Sequence, residues 1–270
     1  MRRDISIDLE KFSRYSRPGP RYTSYPTALE FSEDFAYESY LNYLESGKGP
    51  LSIYIHLPFC RSACYFCGCN VVFTSKKEKL SEYIEYLERE IELLSRHIDT
   101  GREVIQFHFG GGTPTYYQAF ELDRIMKSLR KHFPNWSEDA EVSVEIDPRF
   151  FNEEQMKVFR EHGFNRISFG VQDFDEKVQR EIHRIQPYDI TKKAVDMARN
   201  YGIESINTDL IYGLPYQSLK SFEKTLKLAR SLDPDRLAVF NYAHVPWIKK
   251  TMRKFDETTI PSPEVKLSIL

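Results

Sequence analysis

Nothing in these 270 residues approaches the roughly 20 consecutive apolar residues that cross a bilayer. The charged, apolar and small-residue succession of a secretory leader is also missing from the start of the chain. An excess of charge of either sign is lacking. With 38 Lys and Arg against 40 Asp and Glu, the net charge of −2 exerts no bulk pull toward nucleic acid or a membrane surface. No G-x-G-x-x-G dinucleotide fingerprint follows the first strand-like segment. Cysteine is scarce, four in all, and none lies outside one ten-residue stretch. Clustered thiols without a leader fit a reducing cytoplasm. What is present suffices for one large domain, since 41% of the residues are hydrophobic. Aromatics make up 14%, which suits a roomy core or a flat organic ligand, the core being the simpler reading.

The four thiols, Cys60, Cys64, Cys67 and Cys69, stand in the spacing C-x3-C-x2-C-x-C. Thiolates bind soft metals and iron–sulfur centres. Structural zinc usually takes two separated C-x2-C pairs, and a disulfide pair has no framework here. The spacing therefore favours an iron–sulfur cluster, with three thiolates on three irons of a [4Fe–4S] cube and the fourth iron open to a small ligand. A structural zinc domain remains the alternative.

Around this stretch the chain has a rhythm. Residues 1–27 carry six cations, Arg2, Arg3, Lys11, Arg14, Arg17 and Arg21, and little apolar periodicity. They read as an extended arm, or as a segment that folds over a site and offers cations to an anionic ligand. A helix is expected over 33–45, with Phe35, Tyr40, Leu41 and Leu44 on one side, ended by Ser46-Gly-Lys-Gly-Pro50. Strands then alternate with helices: strands 51–57, 103–109, 140–146, 165–170, 203–211 and 235–242, helices 78–97, 117–132, 152–162, 174–183, 188–201 and 218–231. A last helix begins near Pro263. Six β/α units form a parallel sheet with helices outside, either open or an incomplete barrel. The expected domains are an N-terminal arm and helix over 1–50 and the barrel core over 51–270.

Strands covered on both faces are apolar on both. Here one face is apolar and the other polar: Ile53, Ile55 and Leu57 against Tyr54 and His56; Ile105, Phe107 and Phe109 against Gln106 and His108; Val142, Val144 and Ile146 against Ser143 and Glu145. Ile167, Phe169 and Val171 oppose Arg166, Ser168 and Gln172; Ile206, Thr208 and Leu210 oppose Asn207 and Asp209; Phe240 and Tyr242 oppose Asn241 and Ala243. A lumen that holds a ligand explains this pattern, and barrel sites lie at the C-terminal ends of the strands, where the cysteine loop also begins. Gly110-Gly-Gly-Thr-Pro-Thr115 either lets backbone approach a ligand or makes a tight strand-to-helix turn. Glu145 either accepts hydrogen bonds from ribose hydroxyls or an amine, or pairs with an arginine such as Arg166. Gln172, Arg184 and Asp209 are read the same way, and His56 and His108 as ligands or hydrogen-bonded core histidines.

Cys60-x3-Cys64-x2-Cys67, the glycine run, Glu145 and the six β/α units resemble the radical S-adenosylmethionine (SAM) superfamily. Within it, Pro20-Arg-Tyr-Thr-Ser-Tyr-Pro-Thr27, Tyr65-Phe-Cys-Gly-Cys69, Gly170-Val-Gln-Asp-Phe174 and Phe240-Asn-Tyr-Ala-His244 resemble the oxygen-independent coproporphyrinogen III oxidase family. The resemblance implies a partial (β/α)6 barrel with an N-terminal extension. It implies a [4Fe–4S] cluster on Cys60, Cys64 and Cys67, and a first SAM held by Tyr54, Gly111 and Glu145. It implies a second SAM touching Phe66, Gly112, Thr113, Gln172, Arg184, Asp209 and Ala243. Cys69 is required without being a ligand, and Arg21 helps to hold substrate or close the site. The implied reaction is the anaerobic oxidative decarboxylation of coproporphyrinogen III to protoporphyrinogen IX by a SAM-derived 5′-deoxyadenosyl radical, in porphyrin and haem biosynthesis. It needs an electron donor and an acceptor, and a cytoplasmic monomer is implied. Acid–base tuning spans too few pKa units to remove a hydrogen from an unactivated propionate carbon, so a cofactor must carry the step. The alternative is a haem-binding, haem-chaperone relative without oxidase activity. The family carries a further C-terminal domain over the barrel mouth, whereas this sequence ends at Leu270.

Overall fold

The computed structural model describes residues 8, 10, 11 and 30–270. Most of the basic arm, Arg21 included, lies outside the described residues.

The first helix, α1 (Tyr37–Ser46), buries none of its residues and is tied down at its end, where the Glu45 carboxylate meets His97 at 2.8 Å. Phe35 precedes it and is exposed. Six strands follow: β1 (Leu51–Leu57), β2 (Val104–Gly111), β3 (Trp136–Ile146), β4 (Arg166–Gln172), β5 (Ser205–Tyr212) and β6 (Arg236–Asn241). They form one parallel sheet in chain order. The intervening helices are α2 (Lys77–Ser95), α3 (Ala119–His132), α4 (Glu153–Glu161), α5 (Glu176–Glu181), α6 (Tyr188–Asn200) and α7 (Leu219–Ser231), and α8 (Pro263–Ile269) packs against α7. Parallel neighbours require long crossovers, and amphipathic helices supply them. Among the described residues β1 and β6 do not pair, so the barrel is partial, as the six-unit rhythm implies.

The helices cover one face only. Under them lie Ile55, Leu57, Phe107, Phe109, Val142, Val144, Ile167 and Phe169, all buried and within one continuous core. Each such side chain contributes about 1.5–3 kcal/mol relative to exposure. Phe109 stacks on Phe164 at 5.7 Å, and Phe107 meets Phe109 edge-on at 4.8 Å. The helix starts are specified locally. Asn152 with Gln155 and Gln118 with Glu121 form capping boxes that satisfy the first backbone N–H groups of α4 and α3.

Two expectations about faces are corrected. The register shifts between Val104 and Gln106, which buries Val104 completely and turns Ile105 out to 42% exposure. Ile105 therefore leaves the apolar face. In β6, Ala238 and Phe240 align with Asp209 and Ile211 and line the lumen, so Phe240 belongs to the inner face. One element was not expected: Phe59–Cys60 pairs in parallel with Val72–Phe73, and this short ribbon closes the cysteine loop at its base.

Candidate active site

The inner face of the sheet is a layered polar surface. At its N-terminal level Gln106 donates to Glu141 at 3.3 Å and Arg166 donates to Glu141 at 2.8 Å. Arg166 is thus committed to Glu141. Glu145, two same-face positions further toward the mouth, keeps a 3.6 Å approach to His108 and is half exposed. The structural pairing of Glu145 with Arg166 is not formed. Further round, Ser168 and Asn207 both donate to Asp209, at 2.9 and 2.8 Å. Burial nevertheless raises the Asp209 carboxyl above its ordinary range, against those two hydrogen bonds.

At the C-terminal ends of the strands these layers open into a cavity of about 990 Å³. Cys60, Cys64, Cys67 and Cys69 line it, together with Phe66, Gly111, Gly112, Thr113, Glu145, Gln172, Arg184, Asp209 and Ala243. Residues more than 180 positions apart are thereby gathered at one mouth. Tyr54 is the exception, standing beside the lining: it stacks on His108 at 5.8 Å and bonds His56. Burial, with the Glu145 and Cys69 charges adding, pushes its hydroxyl up to about 12.

The cysteine loop is held from several sides. His56 Nε2 lies 2.8 Å from the Asn70 carbonyl, which only accepts, so this nitrogen carries the hydrogen, while Nδ1 shares a hydrogen bond with the Tyr54 hydroxyl at 2.9 Å. His56 is therefore a brace for the loop's far end. His183 Nδ1 donates to the Ala63 carbonyl at 2.8 Å and its ring stacks on Tyr65 at 4.9 Å. Lys249 Nζ donates to the Cys69 carbonyl at 2.7 Å. Arg149 and Arg184 each direct an N–H toward Cys64 Sγ at 3.7 Å. Cys60 Sγ meets the Thr113 hydroxyl at 3.3 Å, so Thr113 also neighbours a thiol. Burial raises the Cys60 thiol, while the hydrogen bond with Cys69, and burial after it, raise the Cys67 thiol. Metal binding at these sulfurs therefore releases protons.

The glycine run serves the protein itself. A Cβ on Gly112 would lie 2.7 Å from the Pro58 carbonyl carbon and oxygen, and one on Gly111 (φ +115°) would lie 2.8 Å from the His56 ring. The run lets β2 pass directly behind the cysteine loop. Gln172 has φ of 68°, at a register shift between Gly170 and Gln172, and its partner in the motif, Asp173, is buried as an acceptor for Asp175 N and Thr225. Asp173 is a structural knot.

Sequence reasoning missed Asp147, Arg149, His183 and Lys249. The cue for the first two was present: Ile146-Asp-Pro-Arg149 puts opposite charges immediately after a strand's C-terminal end. Lys249 and His183 had no local cue, because each reaches the loop across the fold.

Among the described residues no three His, Cys, Asp or Glu side chains converge to hold a single metal ion. A loop that wraps a four-iron cube presents its thiolates to separate corners and needs no such convergence.

The radical SAM superfamily model matches residues 54–229. The chain belongs to the radical SAM superfamily. Its cofactors are a [4Fe–4S] cluster and SAM. The oxygen-independent coproporphyrinogen III oxidase of Helicobacter pylori (strain J99) is 60% identical over 270 residues, covering 98% of this chain and 59% of that protein. That of Escherichia coli (strain K12) is 47% identical over 267 residues, covering 98% and 58%. The solved coproporphyrinogen III oxidase of Escherichia coli, described as a radical SAM enzyme, superposes with a TM-score of 0.91 at 46% identity, covering 99% of this chain and 60% of that one. Streptococcus suis SuiB, at 17% identity and a TM-score of 0.51, shares the fold. The chain thus spans about three-fifths of the length of the curated relatives it matches. No helix among the described residues is long and apolar enough to cross a membrane.

The residues present fit the cluster. Three thiols face one cavity on a loop held from several sides, and two guanidiniums flank one of them. A [4Fe–4S] core on three thiolates is anionic, so those cations suit it.

Proposed function

We propose that this chain carries the catalytic barrel of an anaerobic coproporphyrinogen III oxidase, which converts two propionates of the substrate to vinyl groups and so forms protoporphyrinogen IX. The observation behind the chemistry is the single cavity that gathers the three thiols, the glycine run and Glu145. The substrate comes from the likeness to the oxidases of Helicobacter and Escherichia.

Cys60, Cys64 and Cys67 would hold the cluster, with Cys69 hydrogen-bonded beside Cys67 rather than ligating. Tyr54, Gly111 and Glu145 would hold one SAM. Phe66, Gly112, Thr113, Gln172, Arg184, Asp209 and Ala243 would touch a second. When bound, the pair supplies one-electron cleavage of SAM and a carbon radical strong enough to remove an unactivated hydrogen. Each propionate then loses one hydrogen atom, one electron and carbon dioxide, the electron passing to an external acceptor. The chain's own part is geometric: Glu145, free of an arginine partner, would accept from the amine or ribose of SAM, and the braced loop would hold its three thiolates at the lumen. Four propionates make the substrate a tetra-anion, which suits a cationic substrate contact such as Arg21 of the arm, a residue outside the described ones. The protein works in the cytoplasm as a monomer with a separate electron donor.

The test is anaerobic reconstitution with iron and sulfide, reduction, and electron paramagnetic resonance with and without SAM, followed by incubation with coproporphyrinogen III, reductant and an acceptor. A cluster signal that changes with SAM, and vinyl product, are expected. Tight haem binding with no decarboxylation would make the protein a haem carrier instead, and one zinc per chain with no cluster would end the oxidase reading.

A further inference from the structure

Asp147 is almost wholly enclosed, its side chain 6% exposed, yet it is bracketed by two arginines. Its Oδ2 lies 2.7 Å from Arg149 NH2 and 3.0 Å from Arg184 NH1, and its Oδ1 accepts from Arg149 Nε at 3.0 Å. Burial alone would raise this carboxyl, but the Arg184 and Arg149 charges outweigh it and hold it below the usual range. The arginines are themselves fixed. Arg184 also donates to the Gly170 carbonyl at 2.8 Å and to Gln186 at 3.2 Å, and Gln186 is fully buried. Two cations against one contacting carboxylate leave positive charge that Asp209, further off, only partly answers, and buried charge is costly unless something answers it. Both surplus N–H groups point at the same atom, Cys64 Sγ.

We propose that Arg149, held by Asp147 alongside Arg184, is a positioning residue that sets the reduction potential of the cluster through the Cys64 sulfur. This rests on the cluster being carried by Cys60, Cys64 and Cys67. Reduction adds one negative charge to the cluster. Fixed cations and N–H···S hydrogen bonds at a ligand sulfur stabilise that extra charge and raise the potential. The electron comes from the external donor, so no further co-reactant is needed. The arrangement also gives a sign to each member: the arginine raises the potential, and the carboxylate, by neutralising part of the positive charge, lowers it.

The experiment is redox titration of the reconstituted chain without SAM, followed by the reduced-cluster paramagnetic signal, with iron and sulfide content measured in parallel. Arg149→Met is expected to shift the reduced-to-oxidised ratio at fixed potential about tenfold toward oxidised, about 59 mV for one electron. Asp147→Asn is expected to shift it toward reduced, and Arg149→Lys, which keeps the charge, to recover most of the wild-type ratio. Opposite signs are what a purely structural role would not produce. Where Arg149→Met takes up no cluster, the sign in Asp147→Asn decides. An unchanged ratio in a loaded variant, the same sign in both, or loss of the cluster from both overturns the proposal. If the wild-type chain itself takes up no cluster, the cofactor assignment fails first, a result separate from these.

Discussion

Glu145 shows how a single side chain acquires a role by what its neighbours do. Arg166, the candidate partner read from the sequence, is taken by Glu141, so Glu145 faces the cavity with His108 at 3.6 Å. Half exposed, it contributes little to stability. Glu145→Gln is therefore expected to leave the thermal unfolding midpoint and the iron content near wild type, with ΔΔG within about 0.5 kcal/mol. The same variant should weaken the SAM-induced change in the cluster spectrum at least tenfold, read by titrating SAM into the reduced protein. Gly112 is the opposite case, a residue whose value is the absence of a side chain. Its Cβ would strike the Pro58 and Phe59 backbone, which cannot rotate away. Gly112→Ala should cost about 1–3 kcal/mol of unfolding free energy in urea and reduce cluster uptake by displacing the loop. The glycine run was legible in sequence as a site of close approach. That the approaching group is the cysteine loop was not legible, because the Pro58 to Gly112 distance belongs to the pairing of β1 with β2.

At the scale of elements, the cysteine loop is held by side chains from four segments of the chain. Its ties reach it from β1 through His56, from the end of α5 through His183, from the β3 end through Arg149 and from beyond β6 through Lys249. The junction of β5 and β6 is a second such tie. Asp235 Oδ2 accepts from Ile206 N at 2.8 Å and from Arg199 NH2 at 2.7 Å. The Ile206 N–H, with Arg199 adding, outweighs burial and lowers the Asp235 carboxyl below its ordinary range. The ionised form is thus favoured in the fold. Its stabilisation is complete above the unfolded pKa of about 3.9 and is lost as pH falls through the lower folded value. Asp235 is partly exposed, so Asp235→Asn should cost only roughly 0.5–1 kcal/mol at pH 7. Urea unfolding at stepped pH should show that difference constant from pH 5 upward and closing below pH 4. A difference that grew on acidification would refute the assignment.

The whole molecule is a half-pipe: helices outside, a polar lumen inside, and two free sheet edges among the described residues. The β6 edge carries Leu237 at 46% and Val239 at 41% exposure. An exposed apolar edge strand is a template for pairing with another chain. The chain is expected to be monomeric when dilute and to associate through this edge only at high concentration in sedimentation velocity, and Val239→Lys should reduce the associated fraction several-fold. Val239 does not line the cavity, so the variant should leave the SAM-dependent cluster signal unchanged. Equal association in both proteins would place the contact elsewhere.

Sequence alone determined the six β/α units, the apolar and polar faces of most strands, and the thiol loop at the mouth. Each depends on periods of two or 3.6 residues, or on spacing within one segment, and such patterns need no knowledge of distant partners. It also placed Phe66, Gly111, Gly112, Thr113, Gln172, Arg184, Asp209 and Ala243 at the cavity, through resemblance. Only the tertiary structure decided the inversion of Ile105, the inward turn of Phe240, the ribbon at the loop's base and the two arginines on Cys64. Those features depend on register shifts between strands and on contacts between residues 85 and 120 positions apart, which are settled when the sheet assembles and not before.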